Sequence, residues 1–307
     1  MTLRSLPMTS LPLTSIPGLT EVTWQQGASN GPVLVLELPH GATTENEYRV
    51  VAEGLKSRLP ENLIDFFHVN TDFGTPECAE QIAAFVGRTD PSISVLILRC
   101  RLPRTLVDCN RTLEEQTDGM TEAIPVYVDD SEDRRRLSDL HRQYLEQADL
   151  AYELAGRRGV AINLHSYAPR SVGINVVDGG IVQALHKAYE PEVYEGWPRR
   201  PDIELISSDV HGRSLLSESW LTALRQAYRS AGIPLAENET YHLHDGTLAA
   251  RYAEDYPGRV LCVEFNRQRL ARDYRPFVEL ETSTDAVTRY VEPLALATLS
   301  ELASLRG

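Results

Sequence analysis

Three apolar runs in the sequence end in polar side chains that could do chemistry. His40 follows VLVLEL, His165 lies near the end of VAINLHS, and Glu264 lies near the end of RVLCVEF. Each run is typical of a strand that is buried on both faces. Ligands of open α/β sheets gather at the carboxyl ends of parallel strands, so we expect these three side chains at one edge. Two imidazoles and a carboxylate are typical ligands of a catalytic zinc ion.

A second set of residues could bind an anion. Its members are Arg101, Arg104, Asn110, Arg111, Asn266 and Arg267. Guanidinium groups bind carboxylates through two parallel hydrogen bonds. The first four residues directly follow the apolar run 93–98, which places them near the predicted sheet edge, and Asp108 could orient one of the arginines. The alternative is a surface network of salt bridges.

The composition of the 307-residue chain excludes several classes of partner. The 30 basic and 44 acidic side chains give a formal net charge of −14, which argues against binding to nucleic acid or to an anionic membrane. No apolar run approaches the roughly 20 residues of a membrane helix, and no signal peptide is visible. The four cysteines form no CxxC pair, which predicts reduced thiols and a cytoplasmic protein. The expected partner is a small acidic molecule, and the oligomeric state stays open.

Segments typical of strands and helices alternate along the chain. The predicted strands are 32–40, 62–70, 92–100, 160–166, 233–238 and 259–267. The predicted helices are 45–58, 77–87, 131–158, 179–190, 213–231 and 283–304. This alternation predicts an α/β fold with three layers, in which helices cover both faces of a mixed, mainly parallel sheet. We expect one catalytic domain over residues 1–307, with residues 1–31 as an extended segment on the surface.

Five motifs in this order resemble the N-formylglutamate amidohydrolase family of the zinc carboxypeptidase-like superfamily. They are PHG, RTLVDCNR, NLHS, ENETYHLHDG and VEFNR, and the resemblance spans about residues 33–275. It implies a zinc carboxypeptidase-like version of the α/β/α fold. It also implies a hydrolase with one bound zinc ion that cleaves the amide bond of an acidic N-acyl amino acid such as N-formylglutamate.

The resemblance implies roles for the residues at the strand ends. His40 and His165 match the two metal-binding histidines, and Glu264 matches the catalytic glutamate. The third metal ligand stays open. Asp72 is favoured because it follows another predicted strand and because the family has an aspartate at a similar place. Glu45 is the alternative, although an acid at the start of a helix can simply interact with the helix dipole.

The resemblance also implies a substrate-binding set. Asn110 and Arg111 match the pair that holds the substrate carboxylate, and Arg104 matches an additional arginine. The segment from Asn238 to Gly246 resembles the loop that helps to close the site. Asn266 and Arg267 form a second Asn-Arg pair, and we therefore predict that Arg267 also binds the substrate.

Two other functions compete with this one. The same metal site and arginines would serve a carboxypeptidase-like peptidase or an amidase that acts on cell-wall peptides. The carboxypeptidase-like pattern has a glutamate three residues after its first histidine, where this chain has Thr43. A catalytically silent protein that binds carboxylates is therefore the third hypothesis.

Overall fold

A mixed sheet of seven strands forms the centre of the described part of the chain, which is residues 11, 13–113, 121–174 and 176–306 of the computed structural model. The strands are β1 (Thr20–Gln25), β2 (Val33–Leu38), β3 (Ser94–Cys100), β4 (Gly159–Tyr167), β5 (Ile203–Ile206), β6 (Ala236–Glu237) and β7 (Val260–Asn266). Their spatial order is β1-β3-β2-β4-β7-β5-β6. The neighbours β3, β2, β4 and β7 are parallel, whereas β1 and β5 pair antiparallel with β3 and β7. Four adjacent strands therefore end at the same edge.

Helices cover both faces of this sheet. They are α1 (Glu45–Ala52), α2 (Leu63–Asn70), α3 (Thr75–Thr89), α4 (Ser131–Arg158), α5 (Ile181–Ala188), α6 (Pro191–Tyr194), α7 (Glu218–Ser230), α8 (Leu248–Asp255), α9 (Arg267–Leu270) and α10 (Thr284–Ser304). One apolar cluster lies between the sheet and α4, and a second lies between the sheet and α3, α7 and α10. The predicted three-layer α/β/α fold with a mixed, mainly parallel sheet is confirmed.

The alternation of side chains along β2 explains why this strand is buried on both faces. Val33 and Val35 belong to the cluster beneath α4, whereas Leu34 and Leu36 belong to the opposite cluster. Full burial of each such side chain contributes roughly 1.5–3 kcal/mol, so the strand is held firmly up to the sheet edge. Glu37 interrupts the apolar pattern on the α4 side and is only 3% exposed.

The prediction of a strand over residues 62–70 is wrong, because this segment forms helix α2. Its buried residues Leu63, Phe66 and Phe67 are spaced three and four residues apart, which is the spacing of one helix face. A short apolar run rich in Phe, Ile and Val fits either a strand or a buried helix, and periodicity over eight residues does not separate them. Asp72 therefore follows a helix rather than a strand.

The remaining segments differ from expectation mainly at the beginning of the chain. Residues 1–10 and 12 of the predicted extended segment lie outside the described residues. Residues 20–25 of this segment form the edge strand β1, which pairs with β3. The segment RTLVDCNR is a loop. The single domain over 1–307 stays a prediction. In the described part of the chain, no helix is both long and apolar enough to cross a membrane.

Candidate metal centre and active site

Two histidines and one aspartate converge at the carboxyl edge of the sheet. Oδ2 of Asp72 lies 3.1 Å from Nδ1 of His40 and 2.8 Å from Nδ1 of His165. The potential ligand atoms of the three buried side chains all lie within 4.8 Å of one another. Glu45, the alternative ligand, is not part of this group, because its carboxylate pairs with Arg49 on the surface of α1.

The second ring nitrogen of each histidine, Nε2, is hydrogen-bonded to a side-chain oxygen atom of a neighbouring residue. Nε2 of His40 lies 2.7 Å from Oδ1 of Asp108, and Nε2 of His165 lies 2.5 Å from Oδ1 of Asn163. When Nε2–H donates to these oxygens, Nδ1 of each ring keeps its lone pair. Two such nitrogens and Oδ2 of Asp72 are then three acceptors that face one another without a donor. A divalent cation such as zinc suits this set of donors and would be held by His40, Asp72 and His165.

The buried carboxylate of Glu37 orients the partner of His165. Oε2 of Glu37 accepts hydrogen bonds from the Asn163 amide nitrogen and from the Tyr152 hydroxyl, and Oε1 accepts from the Tyr144 hydroxyl. Since the amide nitrogen of Asn163 faces Glu37, its oxygen faces His165. Burial raises the pKa of Glu37, although the hydrogen bond from Tyr144 opposes this shift. Glu37 was not among the predicted site residues, although an acid inside the apolar strand VLVLEL is a signal that could have indicated it.

Asp72 is ionised although it is fully buried. Burial opposes its ionisation, but when the imidazoles are protonated, before any cation binds, their charge and their Nδ1–H hydrogen bonds hold the pKa of Asp72 far below its ordinary range. Nη1 of Arg104 and Nη2 of Arg267 lie 3.5 and 3.6 Å from its other oxygen, Oδ1. The negative charge needed for a metal ligand is thus stabilised before any cation binds.

Arg267 joins the end of α2 to strand β4. Its guanidinium donates to the carbonyl oxygen of Val69 at 2.6 Å and to the carbonyl oxygen of Ser166 at 2.8 Å. These bonds explain how Asp72, which follows a helix, reaches the sheet edge. Arg267 also lines the cavity, although these donors face the backbone, and its predicted contact with a substrate stays a prediction.

The loop between β3 and α4 brings two arginines to the same place. Oδ2 of Asp108 accepts a hydrogen bond from Nε of Arg104 at 3.1 Å and lies 3.9 Å from Nε of Arg111. No hydrogen-bond acceptor for Nε of Arg111 is found among the described residues. Burial lowers the pKa of Arg111, and the nearby Asp108 offsets this shift only in part. A buried guanidinium that is incompletely paired favours the binding of an anion.

Asn110 lies between this arginine loop and the metal-binding group. Its amide nitrogen is 3.4 Å from Nε2 of His165, and its amide oxygen accepts a hydrogen bond from the backbone of Ala249. Its own backbone N–H donates to Oδ1 of Asp108 at 2.9 Å. The amide oxygen of Asn110 thus ties the loop to the start of α8, and its amide nitrogen lies beside His165.

Glu264 reaches the same cavity from strand β7, where it pairs in register with His165 of β4. Within the described part of the chain, Oε2 of Glu264 has no hydrogen-bond partner. Burial raises the pKa of Glu264 to about 7, and the positive charges of the site oppose this shift. A carboxylate with this pKa can accept and return a proton near neutral pH.

The cavity around these residues has a volume of about 730 Å³ and extends well beyond the polar group. Arg200, which was not among the predicted site residues, lines it, with Cζ 5.1 and 5.3 Å from the centres of the Tyr167 and Tyr241 rings. Nη2 of Arg200 also donates to the Tyr241 hydroxyl at 2.8 Å. No local sequence pattern marks Arg200, because its two aromatic partners come from other parts of the chain.

Two predicted substrate-binding residues do not line this cavity. The amide oxygen of Asn238 accepts hydrogen bonds from the backbone of Ser207 and Ser208, both at 2.9 Å, and its φ of 52° lies in the left-handed region. The carbonyl oxygen of Gly246 accepts a hydrogen bond from the backbone of Thr112. Both residues shape the loop that presents Tyr241 to the cavity. Their contact with a substrate stays a prediction.

Comparisons with known proteins agree with this architecture. A family model described as N-formylglutamate amidohydrolase matches residues 33–271. The solved structure of N-formylglutamate amidohydrolase from Ralstonia eutropha JMP134 is 16% identical, with a TM-score of 0.56, and the match covers 93% of this chain and 98% of that one. The gene product Atu2144 from Agrobacterium tumefaciens is 15% identical, with a TM-score of 0.51 and coverages of 94% and 96%. A search of curated proteins finds no significant match.

Proposed function

Because the chain belongs to the N-formylglutamate amidohydrolase family and is therefore an amidohydrolase, we propose that it cleaves the amide bond of an N-acyl amino acid with the help of one divalent metal ion. One observation carries this proposal. Two imidazole Nδ1 atoms and the Asp72 carboxylate oxygen converge, and the two histidines line the same cavity as Glu264. Zinc is the first candidate for the metal, because its catalytic sites commonly use three nitrogen and oxygen ligands.

Glu264 is the proposed general base and acid. A bound cation would polarise the amide carbonyl and lower the pKa of a water molecule. Glu264 accepts the proton of the attacking water and later donates it to the nitrogen of the departing amine, which leaves as the amino acid. Because its pKa is raised to about 7, Glu264 accepts a proton more readily than an ordinary carboxylate does and can hold it until the amine departs.

Arg104 and Arg111 are the proposed partners of the substrate carboxylate. Both line the cavity, and the pairing of Arg111 with Asp108 is incomplete. Their positive charge attracts an acidic substrate locally, although the whole chain has a net charge of −14. Asn110 holds the loop that carries Arg111, so the carboxylate is fixed relative to the metal-binding group. N-formylglutamate and N-formylaspartate are the first substrates to test.

The test compares the zinc-loaded parent with Glu264→Gln, which keeps the size of the side chain but removes the base. We expect the variant to bind one metal ion per chain and to lose at least about 100-fold in kcat, the lower end of typical general-base effects. The matched control is Glu281→Gln, whose carboxylate is 80% exposed. Full turnover by Glu264→Gln would contradict the proposed role. A parent that binds dicarboxylates without hydrolysing any N-acyl amino acid would favour the silent binding protein.

A further inference from the structure

The exposed lining of the cavity includes four apolar side chains beside the polar Thr121, Glu122 and His242, whereas the metal-binding histidines at its inner end are buried. Val126, Val176, Val210 and Tyr241 line it with exposed fractions of 53%, 63%, 47% and 40%, and we call these four residues the mouth. They account for half of the eight large hydrophobic side chains that are exposed in the described part of the chain. Exposed apolar side chains that gather around one cavity mark a binding surface, whereas single ones scattered over the surface do not.

Five further apolar side chains line the same cavity, and we call them the wall. Phe66 of α2 and Ile181 and Leu185 of α5 line it, as do Val172 and Ile174 from the segment before α5. Phe66, Ile181 and Leu185 are buried and belong to the large apolar cluster on this side of the sheet. Three of the five wall residues are therefore part of the packed core, and the half-buried Val172 and Ile174 extend the wall toward solvent.

The size of the cavity exceeds what an N-formyl amino acid needs. Sites for drug-sized ligands have volumes of about 300–1,000 Å³, and this cavity has about 730 Å³. The metal-binding group, Glu264 and the two arginines account for the amide and the carboxylate of a substrate. No part of N-formylglutamate is apolar and large enough to cover the wall and the mouth.

We propose that the preferred substrate carries, besides its carboxylate, an apolar group of several carbon atoms that covers this wall. The inference rests on the proposed function, because the carboxylate and the amide of the same molecule are held at the inner end of the cavity. An aliphatic chain or an aromatic ring supplies the required chemistry. It comes either from the acyl group or from the side chain of the amino acid.

Two series of substrates for the zinc-loaded parent separate these sources. In the acyl series, glutamate carries a formyl, butanoyl or hexanoyl group; in the side-chain series, the formyl group is on alanine, norleucine or phenylalanine. Each buried methylene contributes about 0.8 kcal/mol, so kcat/KM should rise about fourfold per methylene in one of the series. Flat or falling values in both series, with N-formylglutamate hydrolysed, would overturn this inference and leave the proposed function intact.

Binding measurements separate the inference from the proposed function. Calorimetry on the zinc-loaded parent with butanoate, hexanoate and octanoate should show affinity that rises with chain length. If the affinity rises while none of the substrates is hydrolysed, the proposed function fails and the apolar site stands. If the affinity does not rise and no substrate is hydrolysed, both proposals fail.

A double variant tests whether the mouth supplies this selectivity. Val126→Ser/Val210→Ser replaces the methyl groups of two apolar side chains by hydroxyls. The ratio of kcat/KM for the best apolar substrate to kcat/KM for N-formylglutamate should therefore fall by at least about threefold. The matched control is Val50→Ser/Val278→Ser, whose valines are 64% and 39% exposed but do not line the cavity. An equal ratio in the mouth variant and the control would overturn the role of the mouth.

Discussion

At the inner end of the cavity polar side chains are buried, and most of them are hydrogen-bonded to one another, whereas at the mouth apolar side chains are exposed. We call His40, Asp72, Asp108, His165 and Glu264 the floor. Asp72 is completely buried and lies between two imidazoles, whereas Val176 at the mouth is 63% exposed. Each region thus reverses the usual preference of its residue types.

This difference in burial and polarity indicates that the floor and the mouth have different functions. Polar groups fixed in a buried site stabilise charge without having to reorient, which suits metal binding and proton transfer. The floor obtains this rigidity from the ends of β2, β4 and β7 and from Arg267, which holds the end of α2 beside β4. Apolar groups at an open mouth recognise size and hydrophobicity, and they need no fixed direction. Four predictions test the functions of the buried polar residues, in order of decreasing expected effect.

Asp72→Asn should have the largest effect. The change keeps the shape of the side chain but removes the charge that faces Nδ1 of both histidines. We expect metal affinity to fall by more than about 100-fold, beyond the 10–100-fold typical of residues that only support ligands. Titration with zinc against a chelating dye measures it. Asp65→Asn is the control, because Asp65 pairs with His186 outside the site. Equal zinc affinity in the two variants would contradict a ligand role for Asp72.

Arg111→Ala should affect substrate binding and leave the metal in place. Removing one partner of a buried ion pair costs about 2–5 kcal/mol, which is a loss of about 30-fold or more in kcat/KM. The loss should appear with N-formylglutamate and disappear with an analogue whose carboxylates are carboxamides. Arg142→Ala, at a position 58% exposed on α4, serves as the control. If acidic and amidated substrates suffer equally, Arg111 has a structural role instead.

Glu264→Gln should stabilise the metal-free protein at high pH. Burial raises the pKa of Glu264 from 4.5 to about 7, so the folded state binds more protons than the unfolded state between these values. The stability of the parent therefore falls as the pH rises through this window. At pH 8 the variant should be more stable by up to about 3 kcal/mol, and at pH 4 the difference should vanish.

Urea unfolding with a chelator present measures this difference in the free energy of unfolding. Addition of zinc should reduce it, because a nearby cation favours the ionised carboxylate of the parent. Parent and variant with equal stability at pH 8 would show that burial does not raise the pKa of Glu264.

Glu37→Gln should have the smallest effect of the four. An amide at residue 37 can donate to the oxygen of Asn163, which lets Asn163 turn its nitrogen toward His165. His165 then carries its proton on Nδ1 and loses the lone pair for the metal. We expect zinc affinity to fall about 10-fold, the lower limit for residues that support ligands. Glu301→Gln is the control, since Glu301 is also buried and is bonded to the hydroxyls of Ser217 and Ser219. Unchanged zinc affinity in Glu37→Gln would argue against this orienting role.

The sequence correctly predicted those elements whose position follows from the local pattern of apolar residues and from the direction of the strands. The predicted helices correspond to α1, α3, α4, α5, α7 and α10, and the three-layer fold and the family are confirmed. The prediction failed at 62–70, where short-range periodicity does not separate a strand from a buried helix. Asp72 nevertheless lies beside the histidines, because Arg267 ties the end of this helix to β4.

The sequence by itself determined that His40, His165 and Glu264 lie at one edge, because apolar runs form parallel strands and their ends meet. Only the tertiary structure decided which atoms face each other there. The contact of Glu37 with Asn163, the place of Arg200 between two tyrosines and the apolar mouth all join residues that are far apart in the chain. Such contacts depend on how the layers pack, and no local periodicity encodes them.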